Sequence, residues 1–354
     1  MKYYDYLEDT KELDEQRRIE IFTPIIQRKW DSAQIKDFKF ITSGRINSVY
    51  RITLRDAPVK SVIIKVRYMN DSRYKQGFAC EEWVNNLLDD KGLNITPRIY
   101  MYDDTRQEVD FDYAIYEEIE IERDKSKYDA NYYYKAGQIL AQIHSISLDY
   151  FGKSRENYHQ ESAYDYYDSF FDEVLSRLKL KNEFLYDMAR GIISKYYKAD
   201  CYAGLSPVLL HHDYHMQNIV IDKNGEFKII DWDSARGGLP EADLIKIKYW
   251  NFKGTCTSNG VSFINGYNSI NGTPITTNFP IHELVWLLKM YLFESDWGEN
   301  RDDSYFPNAN YYENIIRDKF CNYKYIDEYM RQVTKEPNKV VELFFRESVR
   351  EKNK

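Results

Sequence analysis

The chain has 354 residues, of which 43% are hydrophobic and 30% charged, and its formal net charge is −8. This length predicts two domains or one large two-lobed unit. The negative charge argues against a duplex nucleic-acid partner, because binding to phosphates usually needs a basic face, and it fits a cationic ligand.

The N-terminal segment, MKYYDYLEDTKELDEQRRIEIF, is too charged for a signal peptide. No run approaches the ~20 apolar residues that a membrane span requires. The four cysteines are scattered, without the spacing of a zinc site. We therefore expect a cytoplasmic protein with reduced thiols and no membrane partner.

Residues 37–116 have mostly β patterns. Short β-branched and aromatic runs, such as SVYRITL and SVIIKVRY, alternate with turn residues. One helix interrupts them, in SRYKQGFACEEWVNNLLDD, where a helical projection places Glu81 inside the apolar stripe and Glu82 towards its edge. Glu81 needs a partner, because an unpaired buried charge is very costly.

After residue 120 the patterns become long and helical. They include ANYYYKAGQILAQIHSIS, the run at residues 163–198, IHELVWLLKMYLFES and NYYENIIRDKF. The sequence therefore predicts an α+β chain with a β-rich first lobe at residues 1–120, a hinge near residues 116–120, and a mainly helical second lobe at residues 121–354.

A hairpin is predicted inside the helical lobe at NIVIDKNGEFKIID, residues 218–231. Asn224-Gly225 is the dipeptide typical of a two-residue type I′ turn. Counting outwards from that turn pairs Asn218 with Asp231 on one face, with β-carbons roughly 4.5 to 5.5 Å apart. Amide and carboxylate oxygens are ligands that Mg²⁺ prefers, so the two residues could hold one cation.

A second pattern precedes the hairpin. In LLHHDYHMQN, Asp213 stands five residues before Asn218, and a strand, a turn and Asp231 follow. Eukaryotic-like kinases have their catalytic-loop and metal-binding residues in this order.

The longer stretch HHDYHMQNIVI…IIDWDSARGGLPEADL resembles the aminoglycoside phosphotransferase and choline kinase families. SGRINSVYRI, VIIKV, EEWVNNLL and IYEEIE resemble first-lobe motifs of those families, so the likeness runs from about residue 42 to residue 244.

The resemblance implies a two-lobed protein-kinase-like fold that uses ATP and Mg²⁺. Asp213 would hold and deprotonate the acceptor hydroxyl, and Asn218 and Asp231 would bind Mg²⁺. Lys65 would contact the α- and β-phosphates and be held by Glu81. Positioning and charge neutralisation would supply most of the rate.

The resemblance also assigns the remaining nucleotide contacts. Ser43 and Gly44 would lie in a reduced phosphate loop, which has one glycine where protein kinases have three. Backbone groups from Glu117 to Ile119 would bind adenine. His212 replaces the small residue usual before the catalytic aspartate in these families.

Three further residues have alternative interpretations. His215 either satisfies the loop backbone or contacts phosphate. Asp233 is a candidate ligand for a second metal. Asp243 is expected to tie down the loop after the metal-binding aspartate rather than to take part in chemistry.

Two acidic clusters bear on the acceptor. One helical pattern places Asp165, Asp168 and Asp172 on one face, and FESDWGENRDD adds Glu294, Asp296, Glu299, Asp302 and Asp303, opposed in the sequence by Arg301 alone. Such carboxylates would attract a polycationic aminoglycoside, although an ordinary solvated face is the alternative. Nearby aromatic residues could instead form a box for a quaternary ammonium group.

Together these features predict an ATP- and Mg²⁺-dependent O-phosphotransferase that moves the γ-phosphate to a hydroxyl of a small, cationic molecule. An aminoglycoside is the first candidate, which would make this an antibiotic-resistance enzyme. A choline, ethanolamine or other metabolite kinase is the enzyme alternative. A nucleotide-binding pseudokinase or scaffold is the alternative of another class.

Overall fold

The structure is a computed structural model of the chain. It describes residues 15–44, 46–68, 76–122, 124–153, 162–254, 257–270, 278–297, 307–336, 339, 341 and 345. The chain forms two compact units, the first made of Met1–Arg123 with Gln217–Ala235 and the second of Asp124–Met216 with Arg236–Lys354.

The first unit contains the strands β1 (Gln34–Ser43), β2 (Ser48–Arg55), β3 (Ser61–Arg67), β4 (Ile99–Asp103) and β5 (Asp112–Glu117). They form one five-stranded antiparallel sheet in the order β1-β2-β3-β5-β4. Helix α1 (Glu15–Lys29) precedes the sheet, and α2 (Gly77–Asp90) joins β3 to β4. Phe22, Ile25 and Ile26 of α1 are buried with the apolar side chains of the sheet in one core. The sequence patterns predicted β1, β2, β3, β5 and α2 but not α1.

The hairpin consists of β7 (Ile219–Ile221) and β8 (Phe227–Ile229), and its predicted register is wrong by one residue. Ile219 pairs with Ile229, so Asn218 lies opposite Ile230 rather than Asp231, and the Ile230 N–H donates to the Asn218 carbonyl at 2.9 Å.

The turn of this hairpin explains the difference. The Asp222 Oδ1 atom accepts the backbone N–H groups of Asn224 and Glu226, both at 2.8 Å. These bonds favour a three-residue loop in which Gly225 has a φ of 83°, rather than a type I′ turn. Asn224 does not need the positive φ that the type I′ prediction required.

The hairpin belongs to the first unit, whereas the sequence placed it in the helical lobe. The Ile229 N–H donates to the Ile95 carbonyl at 2.6 Å, and the Lys228 ammonium group donates to the Asn94 carbonyl at 2.9 Å. These bonds attach β8 to the segment between α2 and β4. The predicted lobe boundary near residue 120 lies close to residue 123, where the first segment of this unit ends.

The second unit is mainly helical. Its helices are α3 (Ala130–His144), α4 (Ala163–Lys181), α5 (Glu183–Tyr196), α6 (Glu241–Phe252), α7 (Ser258–Ser269), α8 (Phe279–Trp297), α9 (Ala309–Phe320) and α10 (Lys324–Lys335). Strands β6 (Val208–Leu210) and β9 (Arg236–Gly238) form a short antiparallel pair. The helical run at residues 163–198 divides at Asn182, whose side chain caps α5 by accepting the Leu185 N–H. The predicted α+β class is confirmed.

One buried carboxylate joins α6, α8, α9 and α10. Glu283 is fully buried and accepts bonds from the ammonium groups of Lys248 at 3.0 Å and Lys319 at 2.8 Å. The hydroxyls of Tyr249 and Tyr325 donate to it at 2.7 Å each. Burial alone would raise the pKa of Glu283, but the two lysines and the Tyr325 hydroxyl outweigh burial and lower the pKa to about 2.

Helices α3 and α7 approach each other closely through glycine. A β-carbon on Gly266 would lie 1.8 Å from the Tyr134 carbonyl oxygen, so no larger residue fits there without a shift of backbone. The contact holds Tyr267 beside His144, at the C-terminal end of α3. Among the described helices, none is both long and apolar enough to cross a lipid bilayer.

Candidate active site

A buried lysine lies between two carboxylates in the first unit. Along β3, Ile64 and Val66 point into the core, and the alternation places Lys65 on the opposite face. The Lys65 ammonium group is 2.8 Å from Glu81 Oε1 and 2.5 Å from Asp231 Oδ1. Glu81, rather than its neighbour Glu82, therefore contacts the lysine.

Charge on these groups follows from burial and proximity. Burial alone would lower the pKa of Lys65, but the Asp231 and Glu81 carboxylates outweigh burial and raise it, so the side chain is an ammonium ion. Burial raises the pKa of Glu81 to about 7, and the charges of Asp231 and Asp233 act in the same direction. The cluster holds more carboxylates than one lysine neutralises.

Sequence reasoning missed Arg67, which shares the face of β3 that bears Lys65. Its guanidinium is buried, lies 3.1 Å from Asp233 Oδ2 and stacks over the Phe78 ring at 4.8 Å. A β-carbon on Gly77 would lie 2.7 Å from the guanidinium nitrogens, so α2 begins at a glycine. The alternation of charged and apolar residues in IIKVR was the signal that could have identified Arg67.

Asn218 and Asp231 flank the hairpin strands. Asn218 is buried, whereas the Asp231 carboxylate is 37% exposed and its backbone has a φ of 70°. Among the described residues, no group of three or more histidine, cysteine or acidic side chains forms a metal cage. One amide and one carboxylate fit a Mg²⁺ ion that takes its remaining ligands from water and phosphate. Their role as ligands stays a prediction.

The predicted phosphate loop is a tight turn between β1 and β2. Ser43 pairs with Ser48, and the Gly44 N–H donates to the Asn47 carbonyl at 2.9 Å. This N–H is therefore used inside the turn and is not available to a phosphate. A β-carbon on Gly44 would meet only the Asn47 oxygen, at 3.9 Å, so local sterics do not require the glycine.

The predicted adenine contacts follow β5. The Glu117 N–H donates to the Arg98 carbonyl at 2.9 Å. Within the part of the chain that the structure describes, the backbone of Ile119 makes no hydrogen bond. Ile119 can thus offer its N–H to a ligand, whereas the Glu117 N–H is already used by the Arg98 carbonyl.

In the second unit, Asp243 fixes the loop that carries Asp213. The Asp243 carboxylate accepts the His211 N–H at 2.9 Å and the His212 N–H at 2.8 Å. His144 lies 3.3 Å from the same carboxylate and also contacts the Tyr267 hydroxyl. Asp243 therefore ties down the loop before Asp213, rather than the loop after Asp231 as the sequence suggested.

Asp213 lies beside His215 and Lys246. Its carboxylate is 32% exposed and 3.5 Å from His215 Nε2. Burial alone would raise the pKa of Asp213, but His215 and the charge of Lys246 outweigh burial and lower it. His215 also packs edge-on against the Trp250 ring at 5.6 Å. Asp213 is thus a carboxylate near neutral pH, able to accept a hydrogen bond from a hydroxyl.

His212 adopts a left-handed backbone conformation, with a φ of 63°. Its carbonyl accepts a hydrogen bond from the Lys246 ammonium group. Burial lowers its pKa well below the usual value, and the charges of Arg236, Lys246 and Lys289 lower it further. A positive φ on a non-glycine residue next to Asp213 is the kind of local strain that clusters at functional sites.

The acidic residues predicted to bind substrate have different surroundings. Asp165 and Asp172 are exposed on α4, and the half-buried Asp168 between them has a pKa raised by burial and by both neighbours. Asp296 pairs with Arg177 at 2.6 Å and Lys181 at 2.5 Å. Two cationic side chains of α4 therefore neutralise the Asp296 carboxylate. The residues next to Asp296 in the sequence gave no sign of these partners. Glu294 is buried. Glu299, Arg301, Asp302 and Asp303 lie outside the described residues.

A family model with the description "Phosphotransferase enzyme family" matches residues 37–268, well over half of the chain. The chain belongs to the phosphotransferase enzyme family. This phosphotransferase is a small-molecule kinase whose acceptor is a hydroxyl group. No curated protein sequence matches it.

Solved structures share the fold of this phosphotransferase. The gentamicin complex of APH(2")-IIa is 16% identical with a TM-score of 0.55, and the match covers 80% of this chain and 91% of that one. Choline kinase LicA from Streptococcus pneumoniae is 18% identical with a TM-score of 0.51, covering 84% and 98%. APH(4)-Ia with AMP-PNP and hygromycin B is 12% identical with a TM-score of 0.57, covering 83% and 97%. At these identities the likeness confirms the fold of these kinases and leaves the acceptor open.

Proposed function

We propose that this phosphotransferase moves the γ-phosphate of ATP to a hydroxyl of a small molecule and uses Mg²⁺. The observation that carries the proposal is the placement of Lys65 between Glu81 and Asp231. A lysine on β3, a glutamate on the next helix and an aspartate after the hairpin have the chain order of the kinase nucleotide site. APH(4)-Ia was crystallised with AMP-PNP, which supports a nucleotide here.

The charge and burial of the individual residues support the roles that the family resemblance implies. Lys65 would bind the α- and β-phosphates, and Glu81 would keep it in place. Mg²⁺ held by Asn218 and Asp231 would neutralise charge on the phosphates. The backbone N–H of Ile119 and the carbonyl of Glu117 would take the adenine edge. Ser43 and Gly44 are the weaker part of the proposal, because the Gly44 N–H is already used within its turn.

Asp213 would act on the acceptor. Its carboxylate is partly exposed and ionised, so it can accept a hydrogen bond from the attacking hydroxyl and take its proton as the new O–P bond forms. Asp243 holds the backbone before Asp213 through two hydrogen bonds, which keeps the carboxylate in one position.

Mass spectrometry of reaction mixtures provides the test. The chain, ATP and Mg²⁺ would be incubated with cationic, neutral and anionic hydroxyl compounds, and a product would gain about 80 Da, the mass of one phosphoryl group. We expect Asp213→Ala to abolish the product while nucleotide still binds. We expect Asp231→Ala to abolish Mg²⁺-dependent nucleotide binding in calorimetry. Unchanged turnover in the first variant, or an unchanged titration in the second, would contradict the assigned roles.

The sequence suggests a cationic acceptor, with an aminoglycoside first and choline or ethanolamine next. APH(2")-IIa was crystallised with gentamicin, and LicA is a choline kinase, so gentamicin and choline are both suitable members of the panel. A pseudokinase or scaffold is the alternative of another class. It predicts nucleotide binding without loss of the γ-phosphate for any acceptor, so the same reaction mixtures separate it from an enzyme.

A further inference from the structure

Positive side chains from separate segments of the second unit gather around the loop that carries Asp213. Strand β9 pairs with β6 so that Arg236 lies opposite Leu210, just before that loop. Lys153 follows the backbone bridge between Gly152 and Gly237. The register places Arg236 at the end of β6 from which the loop starts, and the charges of Arg236 and Lys153 both lower the pKa of His212.

Two lysines complete the cluster. Lys246 of α6 is buried and donates to the His212 carbonyl, and its ammonium group lies 5.6 Å over the Trp250 ring. Lys289 of α8 lies 5.1 Å over the Phe170 ring. We call Lys153, Arg236, Lys246 and Lys289 the basic cluster.

Lys246 and Lys289 have no carboxylate partner in the part of the chain that the structure describes. Within the described residues, neither Lys246 nor Lys289 has a carboxylate oxygen within ion-pair distance. Asp213 and Asp243 act on Lys246 from a longer range, and Glu173 acts on Lys289. Lys246 is buried and Lys289 is half-buried. A charge withdrawn from water without a counterion is costly, so a chain that keeps these two lysines is suited to receive an anion there.

The acidic face of α4 lies away from the basic cluster. Phe170, which contacts Lys289, is on one side of α4. At 3.6 residues per turn, Asp165, Asp168 and Asp172 project from roughly the opposite side. The three aspartates of α4 that suggested a polycation therefore lie on the side of this helix away from Lys289. The Trp250 ring already has Lys246 over it, which disfavours a quaternary ammonium at that ring.

We propose that the basic cluster binds an anionic group, a carboxylate or phosphate, on the hydroxyl acceptor. The proposal rests on the proposed function, because it places this group beside the carboxylate that would receive the hydroxyl proton. It selects hydroxy acids and phosphorylated alcohols over aminoglycosides and choline. The basic cluster could equally bind the γ-phosphate of the nucleotide, which is also an anion. The experiment must therefore distinguish an anionic group on the acceptor from the γ-phosphate.

The first arm measures binding of inorganic sulfate and phosphate to the full chain by calorimetry, with and without saturating ADP and Mg²⁺. We expect binding in both conditions, and Lys289→Met to weaken it at least tenfold. Lys179→Met is the matched control, because Lys179 is an exposed lysine of α4 that also lies over a ring, that of Tyr186. This control should bind the anions as the unaltered chain does.

The melting temperature gives an independent check on folding. Lys289→Met removes a charge that burial disfavours, so we expect Tm without ligand to rise by a few degrees while anion binding is lost. Lys289→Arg keeps the charge and should restore binding. Anion binding that Lys289→Met leaves intact would show an adventitious ion only and overturn the proposal. If ADP and Mg²⁺ abolish anion binding, the basic cluster belongs to the nucleotide site, and this result would also overturn the proposal.

The second arm compares acceptors of one ring type and different charge: glucuronate, glucose 6-phosphate, glucose and glucosamine. Each is tested as a competitor of sulfate binding, so the result does not depend on turnover. We expect the two anions to compete and glucose and glucosamine not to compete. Competition by glucosamine would overturn the proposal. A chain that binds these anions but transfers no phosphate to any compound would instead refute the proposed function and leave the anion site standing.

Discussion

Asp243→Asn tests how far one side chain controls the Asp213 loop. The two carboxylate oxygens accept one backbone N–H each, from His211 and His212. In asparagine one of the oxygens becomes an NH₂ group, which cannot accept. One charge-assisted bond is lost and one buried N–H stays unsatisfied, for a total of about 3 kcal/mol. If the loop must regain its position in the transition state, the loss corresponds to a roughly 100-fold lower kcat.

Steady-state kinetics with the best acceptor of the panel would measure this effect. KM for ATP should change little, because Asp243 lies in the second unit and the predicted nucleotide residues lie in the first. Asp129→Asn is the matched control: Asp129 also accepts two backbone N–H groups, at 2.9 and 3.0 Å, as the cap of α3. Asparagine caps helices equally well, so kcat should not change. A kcat within twofold of the unaltered chain for Asp243→Asn would refute the reasoning.

The remaining predictions concern stability and pH. Glu283→Ala leaves buried ammonium groups uncompensated and should lower the free energy of unfolding by about 3–5 kcal/mol, visible in urea titration; a loss below about 1 kcal/mol would contradict it. Gly77→Ala places a methyl group 2.7 Å from the Arg67 guanidinium and should cost about 1–3 kcal/mol, so an unchanged urea midpoint would count against the contact. Burial lowers the pKa of Lys246 to about 7 and of Lys289 to about 8, from 10.5. Between the lowered pKa values and 10.5, the unfolded chain binds more protons than the folded chain, so the free energy of unfolding without ligand should rise with pH. The affinity for sulfate should fall over the same pH range, because the two ammonium groups lose their charge.

Secondary structure was largely predictable because burial has a period. Burial alternates along β2, and the buried residues of α5 and α9 recur at intervals of three or four. Helix α1 was missed although Phe22, Ile25 and Ile26 have helical spacing, because the many charged residues around them make its apolar stripe short. The hairpin register was missed because the Asp222 side chain, not the Asn-Gly dipeptide, determines the loop.

The residues predicted to bind nucleotide were easier to identify in the sequence than their neighbours. Lys65 and Glu81 lie in recognisable motifs, and the structure brings them within hydrogen-bond distance. Arg67 lies in no motif that the sequence reasoning used, and its partner Asp233 is 166 residues away. The partners of Asp296 are likewise distant in sequence, on a helix that begins at residue 163. Local charge counts cannot include such partners.

The net charge of the sequence does not describe the local charge near the Asp213 loop, which determines the charge of the acceptor that can bind there. A net charge of −8 describes the field of the whole surface, and it made a cationic ligand plausible. A ligand beside Asp213 responds instead to the few groups within a Debye length of it, about 8 Å at physiological ionic strength. Lys246 is buried and donates to the carbonyl of His212, the residue before Asp213, and the charges of Lys153, Arg236 and Lys289 also act on His212. A polycation that the outer surface attracts would therefore be repelled beside the loop, and a small anion would be repelled by the surface but bound at the loop. Rising salt should accordingly improve the capture of an anionic acceptor by screening the surface, until it also screens the cluster.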